Sequence, residues 1–211
     1  MAAKLDLSKQ FKELYFPPKT PVLCDVPPID FLVLDGRGDP EGGAFQEALQ
    51  ALYSASYTLK FSTKASDPSL DWKVMPLEAL WWVEKVEHLG LQAVDESRKE
   101  DWEWRAMIAQ PDYVTREMLD GAREELKRKK KDVPRLADVR LERIDEGRCA
   151  QVMHVGPYDA ERPTIAALHA FIVQQGLRIS GRHHEIYLGD PRRTAPEKLR
   201  TVIRYGVEPA E

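Results

Sequence analysis

The chain has 211 residues, a hydrophobic fraction of 43% and a formal net charge of −4 at pH 7, which is typical of a folded protein with one large or two small domains. The negative balance argues against a dedicated nucleic-acid-binding protein, and no apolar run approaches the roughly 20 residues that span a bilayer. Two cysteines are too few for a disulfide scaffold, and the N-terminus lacks the apolar centre of a signal peptide, so we expect a cytoplasmic protein without nucleic-acid or membrane partners.

The first half of the chain reads as strand, helix, strand and strand. Phe31 to Leu34 is an apolar strand, and the glycines and proline of residues 35–40 indicate a turn. Apolar residues then recur at helical spacing between Ala44 and Tyr53. Two further strands are predicted, from Leu77 to Val86 and from Trp102 to Gln110.

The second half repeats this order. Cys149 to Val155 is predicted as a strand, followed by a turn at Gly156 and by a helix whose apolar side runs from Ile165 to Ile172. Two strands follow, from His183 to Leu188 and from Leu199 to Val207.

Two halves of one kind predict an α+β fold. It would be a duplicated β-α-β-β unit with pseudo-twofold symmetry, antiparallel sheets around a central ligand cleft, and helices on the outer side. We expect an N-terminal extension over residues 1–30 and a single domain over residues 31–207. Its two repeats would be residues 31–114 and 139–207, and a helix over residues 115–131 would join them.

Two glutamates fall at equivalent positions when the halves are aligned by element order, Glu78 and Glu185. Because side chains alternate along a strand, Glu78 shares a face with Trp82, and Glu185 shares a face with Tyr187. A pseudo-twofold axis would bring both carboxylates towards one central cleft. The opposite strand parity would contradict this prediction.

Four tryptophans lie on two strands that we expect to be neighbours; they are Trp81, Trp82, Trp102 and Trp104. Only one of each pair can face the cleft. Trp82 is preferred because it shares a face with Glu78, and Trp104 is preferred on the next strand. The alternative is that all four are core residues. Aromatic walls suit a flat polycyclic ligand, and they also suit a cation.

A carboxylate among aromatic side chains loses hydration, which predicts a raised pKa for Glu185 and a role as general base. It would take a proton from an attacking water molecule. Glu78 would orient that water or share its proton. The hydroxyls of Tyr158 and Tyr187 would donate to a ligand oxygen that gains negative charge.

Two other interpretations of Glu185 are open. It could be a surface strand residue that pairs with Arg182 or Arg204. It also shares a face with His183, which would suit a metal ion, but the sequence identifies no third ligand, and the downstream cysteines of zinc deaminases are lacking. We therefore expect no metal and no cofactor.

Five segments carry motifs of one known family. They are Asp35–Pro40, Leu77–Trp82, Gln110–Thr115, His154–Tyr158 and His183–Tyr205. With these motifs the chain resembles the GyrI-like small-molecule-binding proteins, also called the effector-binding domain superfamily, and in particular their stand-alone bacterial branch. The resemblance runs from about Phe31 to Val207 and implies a duplicated β-α-β-β fold with a ligand cleft at the junction.

The resemblance also implies a function. Multidrug-sensing regulators use this domain to place a glutamate and aromatics around planar cations, and some stand-alone members look like hydrolases that open the cyclopropane of cyclopropanoid DNA-alkylating compounds. On this resemblance Glu185 takes the place of the functional glutamate, and Glu78 is its equivalent in the first half. Tyr113, in the third motif, is counted among the ligand-binding residues with Tyr158 and Tyr187.

Two functions from different classes remain open. The first is a detoxifying hydrolase with Glu185 as base, and the second is a module that sequesters planar or cationic small molecules with Glu185 as counter-ion. A weaker third alternative is a protein that binds a larger target such as a topoisomerase. No DNA-binding helix-turn-helix is predicted before Phe31, so we do not expect a regulator. We expect a monomer or a weak homodimer.

Overall fold

The computed structural model describes residues 4–83 and 98–210. Its strands are β1 (Val22–Val26), β2 (Ile29–Arg37), β3 (Leu77–Val83), β4 (Trp102–Gln110), β5 (Arg140–Ile144), β6 (Gly147–Val155), β7 (Leu177–Ile179), β8 (His183–Tyr187) and β9 (Arg200–Pro209). Its α-helices are α1 (Leu7–Gln10), α2 (Lys12–Tyr15), α3 (Gly43–Ser66), α4 (Arg116–Arg128) and α5 (Arg162–Gln174).

All nine strands belong to one antiparallel sheet with the order β1-β6-β9-β8-β3-β4-β2-β5, and β7 pairs with the end of β9. The α+β class is therefore confirmed. The second half of the chain supplies β6, β9 and β8, the first half supplies β2, β4 and β3, and the halves meet where β8 pairs with β3. The division into repeats over residues 31–114 and 139–207 stays a prediction.

The two longer helices that flank the centre of the sheet form where the apolar spacing predicts them. The inner side of α3 is a run of small and branched apolar residues, including Ala48, Leu52, Ala55 and Leu59, and the helix packs on β2 and β4. The helix α5 packs on β6 and β7. Within the described ranges, no helix has the length and apolar character needed to cross a membrane.

Both helices lie on the face of the sheet that carries Glu185. Glu185 opposes Ala79 in the β8–β3 ladder, so Trp81, two residues along β3, shares its face. Phe45 of α3 packs on Trp81, with ring centroids 5.2 Å apart. On the other side, α5 packs on Ile203, which opposes Glu185 from β9. Glu185 thus lies between two helices, whereas the sequence predicted a cleft with its helices on the outside.

The opposite face is covered by the N-terminal segment. Tyr15 and Leu14 belong to the core, and the Arg204 side chain donates to the Leu14 carbonyl oxygen at 2.9 Å. The Gln151 amide donates to the Glu13 carbonyl oxygen at 2.9 Å. Much of the expected extension over residues 1–30 is therefore part of the packed structure.

Some predicted boundaries differ from those of the structure. The strand β2 continues to Arg37, where the glycines indicated a turn from Asp35, because Asp35 still pairs with Arg105 in the ladder with β4. The predicted strand from Leu77 to Val86 is observed as β3 to Val83, and its last three residues lie outside the described ranges. The strands β1, β5 and β7 were not predicted.

Candidate functional site

The centre of the sheet forms the floor between α3 and α5. Alternation brings His183, Glu185 and Tyr187 of β8 to this face, next to Ala79 and Trp81 of β3. The Glu185 side chain is 15% exposed, so it is largely enclosed and still reachable from solvent. It is the carboxylate that a ligand between the helices would meet.

Hydrogen bonds hold Glu185 in place. His183 Nε2 lies 2.7 Å from Glu185 Oε1, and His183 Nδ1 lies 2.6 Å from the Tyr205 hydroxyl oxygen. With one ring nitrogen bound to Tyr205, the His183 ring has a fixed orientation towards the carboxylate. The expected alternative partners are engaged elsewhere, because Arg204 pairs with Glu146 at 3.0 Å and Arg182 stacks on another side chain.

Aromatic side chains surround this carboxylate. The Trp81 indole N–H donates to the Tyr187 hydroxyl oxygen at 3.0 Å, and burial together with the charge of the neighbouring Glu185 raises the pKa of Tyr187. Tyr158 meets Tyr187 edge to face, with ring centroids 5.6 Å apart, and is 39% exposed. The structure therefore brings together three of the sequence-predicted residues, Glu185, Tyr187 and Tyr158, and adds Trp81.

Glu78 does not share this site, and the expectation that it does is wrong. In the β3–β8 ladder Glu78 opposes Ile186, while Glu185 opposes Ala79, so the two glutamates point to opposite faces. Glu78 is 1% exposed; it accepts a hydrogen bond from the Tyr15 hydroxyl at 2.8 Å, and its other oxygen lies 3.1 Å from His184 Nε2. The alignment by element order was one residue out of register.

The two preferred tryptophans also differ from expectation. Trp82 lies on the face of Glu78, where the Arg182 guanidinium stacks at 3.6 Å from its ring centroid. Trp104 shares the face of Glu185 but is fully buried, edge-on to Phe45 at 5.0 Å. Its ring fills the space where a Cβ on Gly36 would lie, 2.2 Å away, so only glycine fits opposite it. Trp104 is a core residue, and Trp81, although only 4% exposed, reaches the site through its hydrogen bond to Tyr187.

Tyr113 lies away from the site as well. It follows the end of β4, and its hydroxyl donates to the Leu70 carbonyl oxygen at 3.1 Å. Its ring meets Trp72 edge to face, with centroids 5.8 Å apart. These contacts join the loop after β4 to the segment after α3, which is a structural role.

A second carboxyl, which the sequence did not indicate, completes the site. Glu161 directly precedes α5 and is 4% exposed, and its carboxyl is hydrogen-bonded to Glu185. Burial and the charge of Glu185 raise the pKa of Glu161 to about 10. Burial also acts to raise the pKa of Glu185, but hydrogen bonds and the charge of His183 outweigh it and hold that pKa below its ordinary value. The expected rise therefore falls on Glu161, and the expectation for Glu185 is wrong.

The other face of the same strands holds a buried ionic network. His184 Nδ1 lies 2.9 Å from Glu146 Oε1, and the Arg204 guanidinium donates to the second oxygen of Glu146 at 3.0 Å. Although burial opposes it, Glu146 raises the pKa of His184 to about 9. In the same way His184 and Arg204 overcome burial and lower the pKa of Glu146 to about 2. This network holds the N-terminal segment on the sheet.

Cavities also lie outside this floor, and one of about 300 Å³ beside α5 is lined by His169, Ile172 and Leu177. A cavity of about 400 Å³ adjoins Trp82 and Arg182 on the far side, but its wall contains the ion pair of Arg105 with Asp35 at 2.6 Å. Among residues 4–83 and 98–210, no group of three or more histidine, cysteine, aspartate or glutamate side chains is arranged to hold a metal ion. His183 and Glu185 bind one another instead.

Known structures of high similarity come from Listeria innocua. An uncharacterized conserved protein is 41% identical, with a TM-score of 0.89 over 97% of this chain and 100% of that chain. Two structures described as hydrolases are 39% and 40% identical, with TM-scores of 0.85 and 0.86; they cover 97% and 98% of this chain and 100% of their own. No curated protein matches the chain.

One family model also matches, and it covers the part of the chain that supplies both carboxyls of the site. It is described as the GyrI-like small molecule binding domain, and it matches residues 102–207. This range includes Glu161, His183 and Glu185. The extent of this match, the similarity over almost the whole chain and the shared fold show that the chain belongs to the GyrI-like small-molecule-binding family.

Proposed function

We propose that the protein binds planar, hydrophobic xenobiotics between α3 and α5 and hydrolyses the cyclopropane of cyclopropanoid DNA-alkylating compounds with water activated by Glu185. The observation that carries the proposal is a reachable carboxylate, held by His183 and bordered by Trp81, Tyr187 and Tyr158. The two similar Listeria innocua structures described as hydrolases support hydrolysis as the class of reaction.

Binding would rest on the aromatic rings. A flat, rigid ligand loses little conformational freedom when it stacks, and each ring can also attract a cation with roughly 0.5–2 kcal/mol. Tyr158 is the more exposed of the two tyrosines next to Glu185, so it is the ring that a ligand would meet first. Trp81 and Tyr187 would form the floor beneath it.

The reaction would add water across one carbon–carbon bond of the strained ring. Glu185 takes a proton from water as the water oxygen bonds to the ring carbon, and the electrons of the broken bond move into the conjugated carbonyl of the ligand. A proton then returns to that carbonyl oxygen, which leaves a hydroxyl group. Because ring strain supplies much of the driving force, a carboxylate with a low pKa is a sufficient base.

Tyr158 is the better donor to the developing oxyanion. The Tyr187 hydroxyl accepts from Trp81 and lies beside Glu185, so its single proton is directed to that carboxylate and not to a ligand. Tyr158 makes no such bond to Trp81 and is 39% exposed as a residue, and burial with the nearby Glu185 raises the pKa of Tyr158 to about 12. It therefore stays protonated and can donate as the ring opens.

One observation favours the second candidate function, sequestration without chemistry. The pKa of Glu185 lies below its ordinary value because the bonds and charge of His183 outweigh its burial, so the carboxylate stays ionised at neutral pH. An ionised carboxylate beneath aromatic rings is the arrangement that binds a planar cation. A sequestering protein would hold such a cation without turnover.

The test is turnover of a cyclopropanoid alkylator, followed as loss of the intact ring by mass spectrometry. Wild type should complete many turnovers, and Glu185→Gln should lose them while calorimetry still detects binding, because the amide keeps the shape of the side chain but cannot accept the proton. Glu208→Gln, on β9 and in a surface ion pair with Arg178, is the matched control. Tight binding with an intact ring in wild type would reject hydrolysis and leave sequestration.

A further inference from the structure

Glu161 occupies an unusual place for an acidic residue at a helix N-terminus. The dipole of α5 would favour a carboxylate that bonds the free N–H groups of the first turn. The Glu161 side chain makes no such bond, and it is turned towards the sheet with 4% of the residue exposed. Its direction therefore comes from the groups that it meets on the sheet.

Those groups are the Glu185 carboxyl on β8 and Thr201 on β9, whose hydroxyl oxygen has no hydrogen-bond partner within the described ranges. One oxygen of Glu161, Oε1, is buried, and no donor from the described part of the chain reaches it. Two ionised carboxylates accept hydrogen bonds only, so a bond between Glu161 and Glu185 requires a proton on one of them. The contact itself thus indicates a protonated carboxyl.

The surroundings decide which carboxyl keeps the proton. His183 lies 2.7 Å from Glu185 Oε1 and stabilises the ionised form of Glu185. Within residues 4–83 and 98–210, the other groups near the two carboxyls are the hydroxyls of Tyr158, Tyr187, Tyr205 and Thr201. Burial raises the pKa of Tyr158, Tyr187 and Tyr205, so these tyrosines stay neutral and bring no charge to Glu161. The proton therefore belongs on Glu161.

We propose that Glu161 is the positioning residue of this site. Its protonated carboxyl donates a hydrogen bond to the ionised Glu185, so the pair of carboxyls presents a net charge of −1 to the ligand. A site with one negative charge suits neutral planar compounds and planar monocations, and it does not match the second charge of a dication. This inference deepens the proposed function and rests on the same ligand site.

The first measurement needs no ligand, so its outcome is independent of the proposed function. Glutamate carboxyls labelled with ¹³C would be followed by NMR from about pH 5 to 8, with assignment through Glu161→Gln and Glu185→Gln. We expect Glu161 to keep the chemical shift of a protonated carboxyl and Glu185 that of an ionised one throughout. An ionised Glu161 at neutral pH would overturn the proposal.

The second measurement compares ligands of different charge in the full-length protein. At pH 7, Glu161→Gln should bind a cyclopropanoid alkylator and a planar monocationic acridinium dye within about twofold of wild type, since glutamine imitates a protonated glutamate. Glu161→Ala should lower kcat about tenfold with a smaller change in KM, and Glu161→Gln should have the kcat of wild type.

One outcome would overturn the proposal. If Glu161→Gln lost about tenfold in affinity for the cationic dye but not for the neutral alkylator, Glu161 would carry a charge. If neither probe binds wild type, the proposed function fails, and the NMR titration still decides the protonation of Glu161.

Discussion

The two faces of the β3–β8 pair each carry a glutamate in contact with a histidine, and the two contacts have different surroundings. On the helix-bearing face Glu185 meets His183 at 2.7 Å, and on the other face Glu78 meets His184 at 3.1 Å. The side chain of Glu185 is 15% exposed and that of Glu78 is 1% exposed. The same pair of strands thus carries a solvent-accessible carboxylate on one face and a fully buried one on the other.

The comparison indicates that the segments packed on each face determine whether its carboxylate has a structural role or can meet a ligand. The N-terminal segment closes the face of Glu78. The buried charged groups described there, Glu78, Glu146 and Arg204, each have a hydrogen-bond partner, which is the condition for burying charge at tolerable cost. On the other face the Glu185 side chain is 15% exposed, and its carboxyl neighbour is a second acid, Glu161. Stability is therefore expected to depend on the first face, and ligand chemistry on the second.

The largest expected effect is a loss of stability when the buried ionic network on the face of Glu78 is disrupted. Arg204→Met removes the guanidinium that bonds Glu146 and the Leu14 carbonyl, so a buried charge loses its partner. Loss of one partner of a buried pair costs about 3–5 kcal/mol of the free energy of unfolding, measured by urea denaturation. Ligand affinity should stay unchanged under conditions where the variant is folded. A loss below about 1 kcal/mol would show that the network is not what holds the N-terminal segment.

The next effect is the pH dependence of stability, in which both faces take part. The pKa of His184 is raised from 6.5 to about 9, so its contribution is complete below pH 6.5 and is lost as the pH rises through 9. The pKa of Glu146 is lowered from 4.5 to about 2, so its contribution is complete above pH 4.5 and is lost as the pH falls through 2. The contribution of this pair is thus greatest between pH 4.5 and 6.5.

Glu161 sharpens this pH comparison. Its pKa is raised from 4.5 to about 10. As the pH rises above 4.5, the unfolded state loses this proton before the folded state does, so the free energy of unfolding falls. We expect wild type to lose on the order of 1–3 kcal/mol between neutral pH and about pH 10, measured by denaturation at each pH. In Glu161→Gln the free energy of unfolding should fall less steeply with rising pH, because the contribution of the helix-bearing face is removed. In His184→Gln it should also fall less steeply, because the contribution of the opposite face is removed. An unchanged slope in both variants would contradict these assignments.

A smaller effect concerns catalysis on the open face. Tyr158→Phe keeps the ring that packs on Tyr187 and removes the proposed donor to the ligand carbonyl. Because the Tyr158 hydroxyl is partly in solvent, water can replace some of its effect, and we expect kcat to fall about tenfold with little change in affinity. Steady-state turnover of a cyclopropanoid alkylator is the measurement. An unchanged kcat would remove Tyr158 from the mechanism.

The smallest effect compares the two adjacent tryptophans. Trp81→Leu removes a ring from the floor beneath the ligand, and affinity should fall about three- to tenfold, or roughly 0.5–1.4 kcal/mol. Trp82→Leu is its matched control, since Trp82 lies on the opposite face under Arg182. Calorimetry with a planar ligand should show a change below about twofold for the control. Equal losses in the two variants would contradict the assignment of the faces.

Local patterns in the sequence predicted the elements and the faces within each strand. Alternation alone placed His183, Glu185 and Tyr187 together, and apolar spacing predicted α3 and α5. These features depend on residues close in the chain, which a single sequence records well.

Relations between distant segments were less accessible to sequence reasoning. The β3–β8 register decides whether Glu78 or Ala79 opposes Glu185, and a shift of one residue reverses every side chain. Glu161 at a helix N-terminus reads as an exposed cap, and only the packing of α5 on the sheet turns it inward. The short strands β5 and β7 have too few apolar residues for a clear alternation.

The measurement that tests the central claim most directly is a crystal structure of Glu185→Gln with a cyclopropanoid compound bound and its ring intact. The account predicts a ligand between α3 and α5, stacked against Tyr158 above Trp81, with its cyclopropane next to Gln at position 185 and its carbonyl within hydrogen-bonding distance of the Tyr158 hydroxyl. A ligand bound on the opposite face, beside Trp82 and Arg182, would contradict it.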